Sequence, residues 1–273
     1  MTVRITRYSC FSFIFLWLSF SPIAAFSEQI SITLNISSRN HENRNYYIEL
    51  IKRSLENEGY LVTLNDLGIS NTQRQKKYLN EDKLSLMWRL KTPLRDKNFT
   101  RVNIGLSKGL IAQRILLIKN KNQHAFENIN NIEEFRKKNL VGAFGDGWFD
   151  IDIWRHNNLP YFEFLGDSQK IYTMLASGKR HIDYFSRGIN EIMAESKQHP
   201  NLKIEQNLLL CYKNDSYIYV KKDNHQLAEV LEKALSKAEQ SGLIDKLIKR
   251  HWGDLQQELQ LDTRTKLTLD MPK

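Results

Sequence analysis

Cysteine is nearly absent from this 273-residue chain, which holds two, Cys10 and Cys211. Cys10 falls in a leading apolar segment; if that segment is removed, one thiol remains and no intramolecular disulfide can form. The chain has only 5 prolines and 12 glycines, and no Pro/Gly linker, internal repeat or low-complexity run divides it. Beyond residue 27 no apolar run is long enough to span a bilayer. None of the seven histidines pairs as H-x-x-x-H or H-E-x-x-H, so with one thiol no metal site is expected. The G-x-S-x-G elbow of one large hydrolase class is missing, and no Gly-Lys-Ser/Thr completes a P-loop. There is no arginine-rich arm and no interleaved basic and aromatic pattern, so no nucleic-acid partner is expected. Glu191 and Glu205 can be imagined as an acid–base pair, but carboxylates are plentiful and nothing singles these out. No catalytic residue and no cofactor is therefore expected.

What is present begins with an export signal. Arg4 and Arg7 precede the apolar core FSFIFLWLSF (11–20), Ser21-Pro22 breaks it, and Ala25-Phe26-Ser27 places small residues for cleavage before Glu28. A disulfide-free exported chain of this size points to the bacterial periplasm. Lys and Arg number 40 against 31 Asp and Glu, a formal net charge of +9. That excess reads first as a solubility charge; an anionic ligand or an acidic envelope surface is the alternative.

The remainder alternates strand and helix, the pattern of an α/β protein. ISITLNI (30–36), YLVTLN (60–65) and KLSLMW (83–88) read as strands, and Tyr47, Leu50, Ile51 and Leu55 define a helix over about 43–58. VNIGL (102–106) and QRILLIK (113–119) are strand-like and suited to cross into a second lobe. There LVGAF (140–144) and YFEFL (161–165) alternate with short helices, and LKIEQNLLLCY (202–212) and SYIYV (216–220) read as the return strands. Leu227, Val230, Leu231 and Leu235, then Leu243, Leu247 and Ile248, form two closing helical stripes. The tail from Gly253 is polar and is expected to wrap loosely.

Three places carry candidate chemistry. In GKRHIDYFSRGINEI (178–192) an apolar strand runs into an Arg-Gly turn and a helix. Asp183 and Arg187 would then lie at a strand end, where an acid and a guanidinium can together hold a zwitterion; a surface ion pair is the plain alternative. In GAFGDGW (142–148), between strand and helix, backbone N–H groups near Gly147 can hold an anion, or the glycines can serve only a tight turn. Arg95, after Thr92-Pro93-Leu94, is either a ligand clamp or a solvated loop arginine, and Trp88 either a cleft wall or core.

The 178–192 stretch also resembles the "GRFDYFPRGxNE" signature of bacterial relatives of the family 3 extracellular solute-binding proteins, the polar amino-acid binders of ABC transporters. Trp88 with KTPLR (91–95), LSKGLIAQRILLI (106–118) and LVGAFGDGW (140–148) resemble further segments of that group, in the same order. The chain departs from it at Ser186 and Phe149, where the group has Pro, and at Ala112-Gln113, where it has Gly-Tyr. The resemblance implies a two-lobed type II periplasmic-binding-protein fold, its ligand cleft between lobes joined by two crossing strands. Lobe one would comprise 28–112 and the return strand, helices and tail of 215–273; lobe two would be 113–214. It further implies that Arg95 clamps a ligand carboxylate, with Thr92 as a hydroxyl donor and Trp88 and Trp148 as walls. Asp146 and Trp148 would point into the cleft. Asp183 would take an ammonium or hydroxyl, and Arg187 a second anionic group or Asp183 itself. The function implied is that of a monomeric periplasmic binder of a small amino-acid-like solute, working with a membrane permease. A sensing or scaffold module for a membrane partner is the second reading, and an exported enzyme the third.

Overall fold

The computed structural model describes residues 30–37, 44–68 and 72–272; the expected signal segment lies outside them. Strand β1 (Ser31–Ile36) and strand β2 (Leu61–Asp66) pair in parallel, with Leu34 opposite Leu64. The crossover between them is helix α1 (Arg44–Glu56), whose Tyr47, Leu50, Ile51 and Leu55 are buried as their spacing predicts. Gly59 then turns the chain with φ +88°, a left-handed conformation natural to glycine. Two helices follow that periodicity did not reveal. Helix α2 (Thr72–Asn80) is polar over most of its length. Helix α3 (Pro93–Asn98) starts after Thr92, whose side chain accepts from the Arg95 N–H. Strand β3 (Met87–Leu90) and strand β4 (Phe99–Arg101) flank strand β11 (Ser216–Lys221) in an antiparallel sheet. Helices α8 (His225–Gln240) and α9 (Leu243–Trp252) close this lobe, burying Leu231, Leu235, Leu243 and Leu247 against Leu50 and Leu55.

The second lobe is built on strand β5 (Gln113–Lys119), whose interior residues Arg114 to Ile118 are all buried. Such a continuous run marks a strand covered on both faces. Helix α4 (Ile132–Lys137), strand β6 (Gly142–Gly145), helix α5 (Phe149–His156), strand β7 (Tyr161–Phe164) and helix α6 (Lys170–Ser177) follow. Then come strand β8 (Tyr184–Gly188), helix α7 (Ile189–Gln198), strand β9 (Leu202–Ile204) and strand β10 (Leu208–Cys211). The sheet order is β12-β10-β5-β8-β6-β7, with β9 also on β5; β12 is strand Thr265–Thr268.

Three expectations change. Residues 102–106 form no strand; the strand there is β4, ending at Arg101. The 202–212 run breaks into β9 and β10 because the fully buried Glu205 carboxylate takes the N–H groups of Asn207 and Leu208 at 2.8 Å each. The tail is not loose, nor does it lie on lobe one. Helix α10 (Leu255–Glu258) leads to β12, which pairs in parallel with β10 of lobe two. Leu255, Leu259, Leu261, Leu267 and Leu269 are all buried. The chain thus passes between the two cores at 106–112, at 212–216 and again at 252–255. Among the described residues no helix is long and apolar enough to cross a membrane.

Candidate functional site

The two crossings nearest the middle of the molecule are joined by one side chain. Asp215, 7% exposed, accepts from the N–H of Ser107 at 3.1 Å, of Gly109 at 3.1 Å and of Ser216 at 2.6 Å, and from the Ser107 hydroxyl. Burial raises its pKa above the usual carboxylate value, although these donors pull the other way. A Cβ at Gly105 would stand 2.5 Å from its Oδ2, so the close approach needs glycine there.

On one side of this joint the lobes enclose a cavity of about 200 Å³. In lobe one β3 contributes Trp88 and Arg89, α1 contributes Arg44 and Tyr47, and α3 contributes Arg95. Trp88 stacks on Tyr47 with ring centroids 5.4 Å apart and planes at 23°. Arg44 pairs with Asp66 at 2.7 Å. Arg89 donates to the Trp88 carbonyl at 3.0 Å and to the Gln75 side chain. Arg95 donates to the Leu90 carbonyl and lies over the Tyr219 ring; among the described residues it forms no salt bridge. Burial draws its proton affinity down, which Tyr219 and Asp96 offset in part.

Lobe two presents Gly147, Trp148, Asp150, Arg114, Arg187 and Glu191. Its arginines are compensated. Arg187 meets Glu195 in a two-point contact of 2.6 and 2.5 Å and Glu191 at 3.2 Å. Its guanidinium also lies 5.1 Å from the Trp148 ring and 5.0 Å from Phe185. Burial alone would lower its proton affinity, but the two glutamates raise it well above normal. Arg114 lies 3.2 Å from Asp150, which also accepts from the Tyr212 hydroxyl at 3.0 Å.

The structure places Trp88, Arg95, Gly147, Trp148 and Arg187 together at one cleft. It does not bring Asp183 there. Strand β8 begins at Tyr184, after Asp183, whose carboxylate accepts from Val141 N–H at 2.8 Å. The cleft lies at the carboxyl ends of β6 and β8, about 13 Å further along the strand. Arg187 and Gly188 are strand residues, not a turn, so Arg187 is paired to helix α7 and never to Asp183. The 145–148 turn is no anion nest: the N–H groups of Asp146, Gly147 and Trp148 go to Phe164 O, Glu163 Oε1 and Gly145 O. Asp146 is exposed beside the cleft lining and Thr92 caps α3. Sequence reasoning missed Arg44, Tyr47 and Arg89. Tyr47 was read only as core, and nothing marked the two arginines. Glu205 is a buried staple beside Leu116 of β5, outside the cleft lining. Among the described residues no cluster of three His, Cys, Asp or Glu side chains is arranged to hold a metal.

No family model matches this chain, and no curated protein does. Solved structures do. A Bacillus subtilis protein described as a probable amino-acid ABC transporter extracellular-binding protein superposes with a TM-score of 0.62 at 16% identity, covering 82% of this chain and 99% of that one. The chain has the type II periplasmic-binding-protein fold. A Streptococcus pneumoniae amino-acid ABC transporter substrate-binding protein bound to L-arginine shares it (TM-score 0.58, 19% identity, 81% and 94% coverage). So does an ancestral arginine-binding protein bound to glutamine (TM-score 0.60, 17% identity, 81% and 98% coverage). The likeness is one of fold, and in that fold the cleft of Arg95 and Trp88 lies between the lobes.

Proposed function

We propose that the protein is an exported, periplasmic solute-binding protein. Its lobes close on a small polar solute bearing a carboxylate, of amino-acid type, for delivery to an ABC-type membrane permease. The observation that carries this reading is Arg95: a guanidinium in the wall of an interlobe cleft, held by neutral partners alone. A partly desolvated guanidinium without an ion-pair partner is stabilised by a carboxylate in two-point contact. The stacked Trp88 and Tyr47 rings on one lobe and Trp148 on the other supply apolar walls. Contacts to both lobes favour the closed state, which is hinge closure driven by the solute. Solved proteins of the same fold hold arginine or glutamine, which supports an amino-acid solute. An export signal, a monomeric state and no enzymatic step complete the reading.

Thermal unfolding against amino acids, small dicarboxylates and sugars tests it. One solute should stabilise the protein by about 2.7 kcal/mol at a hundredfold excess over its dissociation constant, and Arg95→Ala should abolish the shift while leaving the fold intact. A panel without any shift removes the solute and turns the search to a protein partner.

A further inference from the structure

Behind Arg95 the first lobe holds a second cavity, about 260 Å³, lined by Lys76 and Asn80 of α2, Thr92, Asn98 at the end of α3, and Phe99 of β4. Arg95 lines both cavities and is their common wall. Thr92, absent from the lining of the main cleft, therefore sits on the other side of the same guanidinium. Lys76 is half-buried and, among the described residues, makes no salt bridge. Its proton affinity is lowered first by burial and then by the positive charges of Arg95 and Arg89; the carboxylate that opposes this is Asp146, on the opposite lobe. Two cations thus share a partly desolvated corner, each without an ion-pair partner. Like charges so placed repel, and a neutral solute leaves the repulsion intact. A second anionic group would remove it.

We propose that the solute is dianionic, an acidic amino acid or small dicarboxylate, that reaches past the Arg95 guanidinium shared by the two cavities: one carboxylate lies on Arg95 in the main cleft and the other on Lys76 in the second cavity, where Thr92 and Asn80 are neutral donors. This rests on the solute-binding reading above and deepens it. Lys76 acts as a specificity residue: a cationic solute would add a third positive charge to the corner, and an amide would leave Lys76 uncompensated.

Calorimetric titration of the purified protein separates the two ideas. The probes are L-glutamate and L-aspartate, their amides L-glutamine and L-asparagine, succinate and its monoamide, and L-arginine. An acid should bind at least about tenfold tighter than its own amide, the worth of one charge-assisted contact. Lys76→Met should bring acid and amide to parity, and Lys76→Arg should keep the preference. Lys76→Met should also unfold at or slightly above the wild-type temperature without solute, because it removes repulsion and breaks no ion pair. An amide or arginine bound as tightly as the acid, or a preference unchanged in Lys76→Met, overturns the dianion and leaves the solute-binding reading standing. Heat from none of the seven probes also overturns the dianion, and the thermal panel above then decides the solute-binding reading.

Discussion

Arginine alone does not mark a ligand site; its partners do. Arg187 and Arg95 both border the cleft, yet Arg187 is closed off by Glu191 and Glu195 whereas Arg95 has only a carbonyl and a ring. The difference has a stability consequence. Arg187 is 4% exposed and its glutamates are largely shielded. Arg187→Met strands two neighbouring carboxylates and should destabilise the fold by about 3–5 kcal/mol in urea titration, whereas Arg187→Met with Glu195→Leu should recover much of the loss. If the single variant unfolds at the wild-type midpoint, the pair is not a structural one. Sequence could place Arg187 near the cleft but not tell its pairing. A clue lies in the spacing, since Glu191 follows Arg187 by four residues, but the sequence suggests an Arg-Gly turn at that point, whereas the strand runs through Gly188 into α7. Asp183 failed by the same misplacement. Moving the strand start past it put it at the end of the sheet away from the cleft.

Elements with one strong pattern were legible, and elements positioned by a few polar atoms were not. The apolar run of β5 and the stripes of α1 and α8 sit as their periods require. Helix α2 buries Gln75 and Leu79 and little else, so no apolar stripe announces it. Helix α3 did have a signal, Thr92 as N-cap followed by Pro93 in the first turn, hidden by its length of 6 residues. The joint between lobes is of the polar kind. Asp215 replaces a strand pair with a carboxylate that gathers three N–H groups and a hydroxyl. Its folded pKa lies above the ordinary value, chiefly through burial, so the folded chain binds a proton there more readily than the unfolded one. The stability this lends is complete below the unfolded carboxylate range, near about pH 4, and is lost as pH rises through the folded value. Measured against Asp215→Asn, which does not titrate, the wild-type protein should lose relative stability from pH 4 upward. A difference independent of pH would mean the carboxylate is not desolvated.

At the scale of the molecule the tail changes how the lobes are tied. Helix α9 belongs to the core of lobe one and β12 to the sheet of lobe two, so a third span at Gly253 links the lobes beside the two at the cleft. Gly253 adopts φ 69° and ψ −147°, a conformation all but restricted to glycine, and a Cβ there would meet Glu258 Oε1 at 2.6 Å. The tail's composition reads as polar, and its meaning lies in alternation: Leu267 and Leu269 point inward while Lys266 and Thr268 face out. Arg264 locks its entry by donating to the carbonyls of Leu259, Glu205 and Leu208 at 2.8, 2.6 and 3.1 Å. β12 also covers the edge of β10, which would otherwise present unpaired N–H and C=O groups. If the tail is an integral strand, Leu267→Ala should behave as a core truncation and cost about 2–5 kcal/mol, and Thr268→Ala one residue on should stay within about 0.5 kcal/mol. Urea titration of the two variants decides between an integral strand and a dispensable strap. Equal, small effects at both positions would mean that the tail peels away before the lobe unfolds, and that two spans, not three, govern closure.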